Sequence, residues 1–413
     1  PQNLTLLTDL YELTMMQGYF KNPVQETVIF DAFYRVNPCG NGYAIAAGLE
    51  QVIDYIKNLR FSEEDVEYLG SLGIFEKDFL DYLKDFRFSG DIYAIQEGTV
   101  GFPREPLIKV IAPIMEAQLV ETAILNIINH QSLIATKAAR VVNAARGDGV
   151  MEFGLRRAQG PDAGTYGARA AMIGGCIGTS NVLCGQLFDV PVLGTHAHSW
   201  IMSFPDEYTA FKTYAELYPN ACTLLVDTYD TLKSGVPNAI RVFKEMRRAK
   251  KLNGRYGIRL DSGDLAYLSK EARKMLDAAG FKNAIISASS DLDEYLIDSL
   301  KSQGAQITSW GVGTNLITSK DCPAFGGVYK LAAVKTGDGD FVPKIKLSEN
   351  SEKVTNPGNK TVYRIYEKAN GKLKADLISL VDDGFDESKD LVIFYPVETW
   401  KKTHLKGGTY TMR

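Results

Sequence analysis

Residues 256–280, "YGIRLDSGDLAYLSKEARKMLDAAG", decide how the chain is read. An apolar run ends in polar residues around Asp261 and Asp264, and the next segment carries Leu265, Leu268, Met275 and Leu276 at the spacing of one helical face. That is a strand followed by a helix, with polar groups gathered at the strand's C-terminal end.

The pattern repeats on both sides. "DVPVLGTHAHSW" (189–200), "ACTLLVDTYD" (221–230), "NAIISASSD" (283–291) and "ITSWGVGTN" (307–315) are further short apolar runs with polar or glycine-rich ends. Helix-like segments lie between them, "AIRVFKEMRRAKK" (239–251) and "LDEYLIDSLKSQG" (292–304). Asp227, Asp261 and Asp291 recur at separations of 34 and 30 residues, the length of one βα unit. Repeated units of this kind build a parallel barrel or a doubly wound sheet. The barrel is favoured, because barrels collect polar residues at successive strand ends.

The flanks follow other rules. Residues 1–135 mix a helical stretch, "GLEQVIDYIKNLRF" (48–61), with β-like runs, "TVIFDAFYRV" (27–36) and "PLIKVIAPIMEAQLV" (106–120), and are read as an N-terminal α/β domain. Residues 136–325 form the barrel. Residues 326–413 read as hairpins: "VYKLAAV" and "DFVPKIKL" flank "KTGDG", and Asn370-Gly371 joins "TVYRIYEKA" to "KLKADLISL". This β-rich segment is expected to pack back on the N-terminal domain.

Bulk properties exclude several classes. A net charge of -4 gives no general attraction to nucleic acid or to an anionic membrane. Five cysteines without a Cys-x-x-Cys pair argue against a disulfide framework or a structural zinc site, and fit a reducing cytoplasm. The opening lacks the basic and apolar regions of a signal peptide, and the uncharged run 170–188 is too rich in glycine and polar residues to span a bilayer. A cytoplasmic protein is expected.

Four stretches carry the chemistry. His196 and His198 in "GTHAHS" would share one face if the strand continued through them, as in a metal-chelating pair; a nucleophilic or acid/base histidine at a strand end and a core histidine are the other readings. Lys137, Arg140, Arg146, Arg156, Arg157 and Arg169 alternate with glycine-rich turns, a combination suited to phosphate or pyrophosphate oxygens or to a plain solvated face. Gly311 to Asn315, "GVGTN", offers a late-strand loop for a monophosphate or an ordinary turn. In "RLDSGD", Arg259, Asp261 and Asp264 suit a carboxylate, Mg²⁺ or a developing ribosyl cation; the plainer reading is an Arg–Asp salt bridge with a helix cap at Ser262. Together they describe a site for an anionic, phosphate-rich substrate.

At these residues the chain resembles the nicotinate phosphoribosyltransferases. "TDLYELTM" (8–15), "EFGLRRAQGPD" (152–162), "GTSNV" (178–182), "GTHAHSW", "DTYD", "RLDSGDL" and "GVGTNL" stand in the family's order. The resemblance implies an irregular βα barrel of the type II phosphoribosyltransferase kind. It implies transfer of the 5-phosphoribosyl group from phosphoribosyl pyrophosphate to nicotinate, giving nicotinate mononucleotide and pyrophosphate, coupled to ATP hydrolysis with Mg²⁺.

It also implies residue roles. His198 matches the histidine that ATP phosphorylates, whereas His196 falls at a variable position whose substitution is expected to be mild. Tyr11 matches an aromatic that reaches across a homodimer interface over the pyridine ring, and Phe153 its stacking partner. Arg259 and Thr195 match nicotinate contacts, Arg156 a phosphate contact, Asp261 a ribose or magnesium contact, Gly313 and Thr314 the 5-phosphate loop, and Asp227 a stabiliser of ribose or ring. Ser180 stands where nicotinamide-using relatives carry an acid, which favours the carboxylate substrate. Nicotinamide and quinolinate phosphoribosyltransferases and a metal-dependent barrel hydrolase are the alternatives.

Overall fold

The computed structural model describes residues 3–22, 26–347, 349 and 353–413, which divide into two compact units: the described residues up to 132 together with those from 324 on, and residues 133–323.

In the first unit, the β-branched and aromatic residues of "ETVIFDAFY" make Glu26–Tyr34 a strand, and seven of its nine residues are buried because both faces are covered. It lies at the centre of a five-stranded sheet ordered Val342–Pro343, Gly327–Thr336, Glu26–Tyr34, Ile108–Pro113, Asp91–Ala94. The neighbours pair antiparallel, with Phe30 opposite both Leu331 and Val110. Met16, Val52, Phe79, Leu83, Leu119 and Ile124 close the core. Each such side chain contributes about 2 kcal/mol on leaving water.

The apolar run 106–120 is not one β element. Pro113 ends the strand, and Ile114–Leu119 begins a helix in which five of six residues are buried. The reason is length and period: a run this long outlasts a strand, and with only Lys109, Glu116 and Gln118 as polar residues it does not show the switch to helical spacing. Gly327–Thr336 pairs with only Val342–Pro343 in the expected hairpin and with Glu26–Tyr34 over its whole length. Asn370-Gly371 does turn a hairpin, Lys360–Glu367 against Leu373–Leu380, with Gly371 at φ 68° where a side chain would be strained.

The second unit holds a six-stranded parallel sheet ordered Gly178–Thr179, Gly149–Glu152, Ser309–Val312, Ile285–Ala288, Arg255–Leu260, Ala221–Leu225. Helices Val236–Arg248, Leu265–Ala278 and Glu294–Ser302 follow the last strands in chain order, as their apolar spacing predicts. They bury Phe243, Ala272, Leu276 and Ile297 completely. The helix after "RLDSGD" is capped by Asp264, which accepts from the Tyr267 N–H, rather than by Ser262.

The sheet is a half-barrel whose two ends are joined by irregular chain. The stretch 189–200 forms no strand: it makes one parallel bridge, Val192 to Thr179, and then leaves the sheet. Pro191 lacks a donor there, and His198 already begins the helix His198–Met202.

Candidate active site

Parallel register sets six strand ends level. Leu225 lies opposite Arg259, Leu260 opposite Ala288, Val312 opposite Glu152, and Glu152 opposite Thr179. The residues that follow these ends, Asp227, Asp261, Ser289, Gly313, Phe153 and Ser180, therefore share one rim of the sheet.

Three of them form a bonded group beside His198. Asp227 Oδ2 accepts from the Asp261 N–H at 2.7 Å and from the Ser262 hydroxyl at 2.8 Å, while Asp227 Oδ1 is buried with no partner. The Ser289 hydroxyl donates to Asp261 Oδ1. His198 Nδ1 shares a hydrogen bond of 3.0 Å with the Thr228 hydroxyl, and its Nε2 stands 3.7 Å from Asp261 Oδ2, too far for a direct bond. The imidazole is thus held at one nitrogen and half exposed at the other.

Arg259 is not paired with Asp261, contrary to the plainer reading of "RLDSGD". Its Nη1 donates to the Thr195 hydroxyl, and its Nε is buried with no partner. Burial pushes its pKa down, opposed by Asp261 and Asp227; Arg156 adds to the lowering, which places that guanidinium within its field. A buried N–H without an acceptor costs about 1–3 kcal/mol, so this one is suited to a ligand oxygen.

His196 points elsewhere. The two histidines share no face, because the chain turns into a helix between them, and a chelating pair is not formed. His196 is buried, its Nε2 accepts from the Leu225 N–H at 3.4 Å, and its ring meets Tyr214 edge-on with centroids 4.6 Å apart. Leu225 lies on the edge strand, so His196 ties the irregular chain to the open side of the half-barrel. Burial pushes its pKa down to about 4, leaving a neutral ring.

On the other side of the rim, the Phe153 N–H donates to the Val312 carbonyl at 2.8 Å. The Phe153 ring packs so closely on Gly311 that a Cβ there would lie 2.6 Å from it. Ser180 is half-buried, its N–H donating to the Glu152 carbonyl at 3.0 Å. Gly313 and Thr314 start the short helix Thr314–Ile317. Arg156 and Arg157 are exposed on a single helical turn, Leu155–Arg157.

The basic cluster does not act as one. Lys137 is buried between Glu294 and Asp321 at 2.8 and 2.7 Å, Arg140 pairs with Glu294 at 2.8 Å, and Arg146 pairs with Asp298. These cations anchor a helix rather than a phosphate, because their helical spacing points them at the neighbouring helix Glu294–Ser302. Arg169 is buried with its guanidinium over the Phe188 ring, so that of the six cations Arg156 and Arg157 are the exposed ones without such an anchor.

Sequence reasoning passes over Thr228, Ser289 and Glu152, and reads Ser262 as a helix cap; this rim uses all four. Thr228 and Ser289 directly follow expected strand ends, and that position is their one available signal.

Residues 6–129 match the nicotinate phosphoribosyltransferase N-terminal domain, 149–364 the nicotinate phosphoribosyltransferase family, and 359–413 the C-terminal domain of the same enzymes. Nicotinate phosphoribosyltransferase of Bacillus subtilis strain 168 is 52% identical over 399 residues, covering 96% of this chain and 80% of that protein. The chain belongs to the nicotinate phosphoribosyltransferase family.

Among solved structures, human nicotinic acid phosphoribosyltransferase superposes with a TM-score of 0.82 at 29% identity, over 98% of this chain and 87% of that one. The nicotinate-nucleotide pyrophosphorylase of Pyrococcus furiosus superposes with 0.71 at 24% identity over 93% and 85%, which shows a shared fold. The half-barrel is therefore of the type II phosphoribosyltransferase kind. Tyr11, the aromatic that the nicotinate phosphoribosyltransferase resemblance singles out, belongs to the first unit. It lies on the helix Leu10–Lys21, is 45% exposed, and has its pKa pushed up to about 12 by burial and by Glu121 and Glu12.

Proposed function

We propose that this chain transfers the 5-phosphoribosyl group of phosphoribosyl pyrophosphate to the ring nitrogen of nicotinate, releasing pyrophosphate, as a step in NAD salvage. Family membership supports the reaction. The observation on the molecule that carries it is Arg259, whose buried, unpartnered Nε lies among the rim residues beside Thr195. A guanidinium with one arm fixed and one donor free offers a pyridine carboxylate a preset contact.

The bond from the sugar's anomeric carbon to pyrophosphate breaks with its electron pair leaving on pyrophosphate, and the ring nitrogen forms the new bond. The pyridine nitrogen needs no base near neutral pH. Positioning and charge are the protein's tasks. Asp261 and Asp227 face a cationic sugar, Phe153 stacks on the ring, and Gly313 with Thr314 holds the 5-phosphate.

ATP coupling runs through His198. Its imidazole forms a bond to the γ-phosphorus as the bond to ADP breaks, and the ring is held for this by Thr228. Mg²⁺ fits the donors present: the unpartnered Asp227 Oδ1 and the Asp261 carboxylate would hold it with phosphate oxygens completing the shell, and when bound it neutralises pyrophosphate charge. In a homodimer Tyr11 of one copy would cover the ring in the other. The five free thiols suit a reducing cytoplasm, and no helix among the described residues is long and apolar enough to cross a membrane.

A product assay with nicotinate and phosphoribosyl pyrophosphate, with and without ATP, tests the reading. Nicotinate mononucleotide should form and ATP should raise its yield. Product from nicotinamide but not from nicotinate would overturn it.

A further inference from the structure

Glu152 is wholly buried at the end of the strand Gly149–Glu152, and the chemistry proposed above does not use it. Its Oε2 accepts from the Thr179 hydroxyl at 2.7 Å and its Oε1 from the Gly154 N–H, while its backbone carbonyl accepts from Ser180 at 3.0 Å. The Thr179 hydroxyl accepts in turn from the Asn181 N–H at 3.0 Å. One residue thus ties the loop after its own strand, 153–154, to the loop after the neighbouring strand, 179–181.

The cost of this arrangement argues that it has a use. Among the described residues no lysine or arginine pairs with Glu152, and burial pushes its pKa up. A carboxylate buried with two neutral donors is less stable than an apolar side chain of similar size would be. The loop is also drawn tightly down: a Cβ on Gly154 would lie 2.5 Å from Ile317 and 2.8 Å from the Glu152 carboxylate. The residues so fixed are Phe153 and Ser180, the stacking ring and the expected selector of acid over amide.

We infer that Glu152 is a positioning residue for the pyridine pocket, holding Phe153 and Ser180 in register and thereby setting both nicotinate affinity and the preference for nicotinate over nicotinamide. The inference rests on the proposed function. Misplacing a stacking ring by a fraction of its thickness weakens binding of that ring and leaves the phosphate contacts in place.

Glu152→Gln keeps the volume but offers an amide donor to one of two existing donors, and Thr179→Val removes the same link from the other side. Both variants are tested by steady-state kinetics and thermal melts. In each folded variant the nicotinate KM should rise about tenfold, as expected for lost orientation, with the KM for phosphoribosyl pyrophosphate little changed and the preference for nicotinate over nicotinamide narrowed. Equal rises in both KM values, or no rise in either, would overturn the inference. Should Glu152→Gln fail to fold, the two KM values of Thr179→Val distinguish the same outcomes. Wild-type protein is assayed alongside: nicotinate turnover there separates a failure of this inference from a failure of the function it rests on.

Discussion

Arg259 and Thr195 are joined through Nη1 and the threonine hydroxyl, and the join leaves Arg259 Nε buried and unpaired. Replacing Arg259 with Ala should therefore weaken nicotinate binding by about 2 kcal/mol, the usual worth of a hydrogen bond to a charged group, or some thirtyfold in Kd. Lys should not restore it, since an ammonium lacks the fork that bonds Thr195 and a ligand together. Calorimetric titration with nicotinate measures this, and an unchanged Kd would contradict the role.

His198→Ala should abolish retention of the ATP γ-phosphoryl group on the protein and all ATP-dependent stimulation of turnover. Labelled ATP followed by alkaline gel analysis reads the first, because phosphohistidine survives base. Label retained on the variant would place the acceptor elsewhere.

The sequence predicts that His196 tolerates substitution, but its burial between Leu225 and Tyr214 gives it a structural load. His196→Ala should cost about 2 kcal/mol of stability at pH 7 through a cavity and an orphaned N–H. The pH dependence has a definite sign. Its pKa is lowered to about 4 in the fold, chiefly by burial, with Arg259 and His198 adding positive charge, so the unfolded chain binds the extra proton first. Stability should fall as pH drops from 6.5 toward 4, by at most about 3 kcal/mol from this residue. His130, also shifted down by burial, adds to the same trend. Urea midpoints at pH 4.5 and 7 should converge in His196→Gln relative to wild type, and parallel behaviour would remove the assignment.

Ser180→Asp should raise the nicotinate KM by about tenfold or more through charge repulsion at a half-buried position, while nicotinamide suffers less. The ratio of the two KM values is the measurement. A uniform change would mean that Ser180 does not face the substrate carboxylate.

The βα repeat is legible in the sequence because each strand end carries its own polar mark: Asp227, Asp261 and Asp291 all follow the strands expected for them. The stretch 189–200 misleads for a physical reason. Its apolar run resembles a strand, but pairing needs a neighbour with free edge groups, and after Val192 the chain bonds through a side chain instead. The basic cluster misleads in the same way, since spacing shows charges and not the acids that meet them from 150 residues or more further along, as Glu294 meets Lys137. Glu152 is invisible because nothing in "GVMEFG" says that a carboxylate will be enclosed.

The edge at Leu225 has a kinetic consequence. A strand whose outer side is held by one imidazole can part from it without breaking a row of backbone bonds, so amide exchange at Leu225 should outpace that at Ile258, deep in the same sheet. Breathing there would let the two segments bearing Thr195 and Asp227 drift apart together, giving bulky phosphorylated molecules a way in and out that a fully laddered wall would deny.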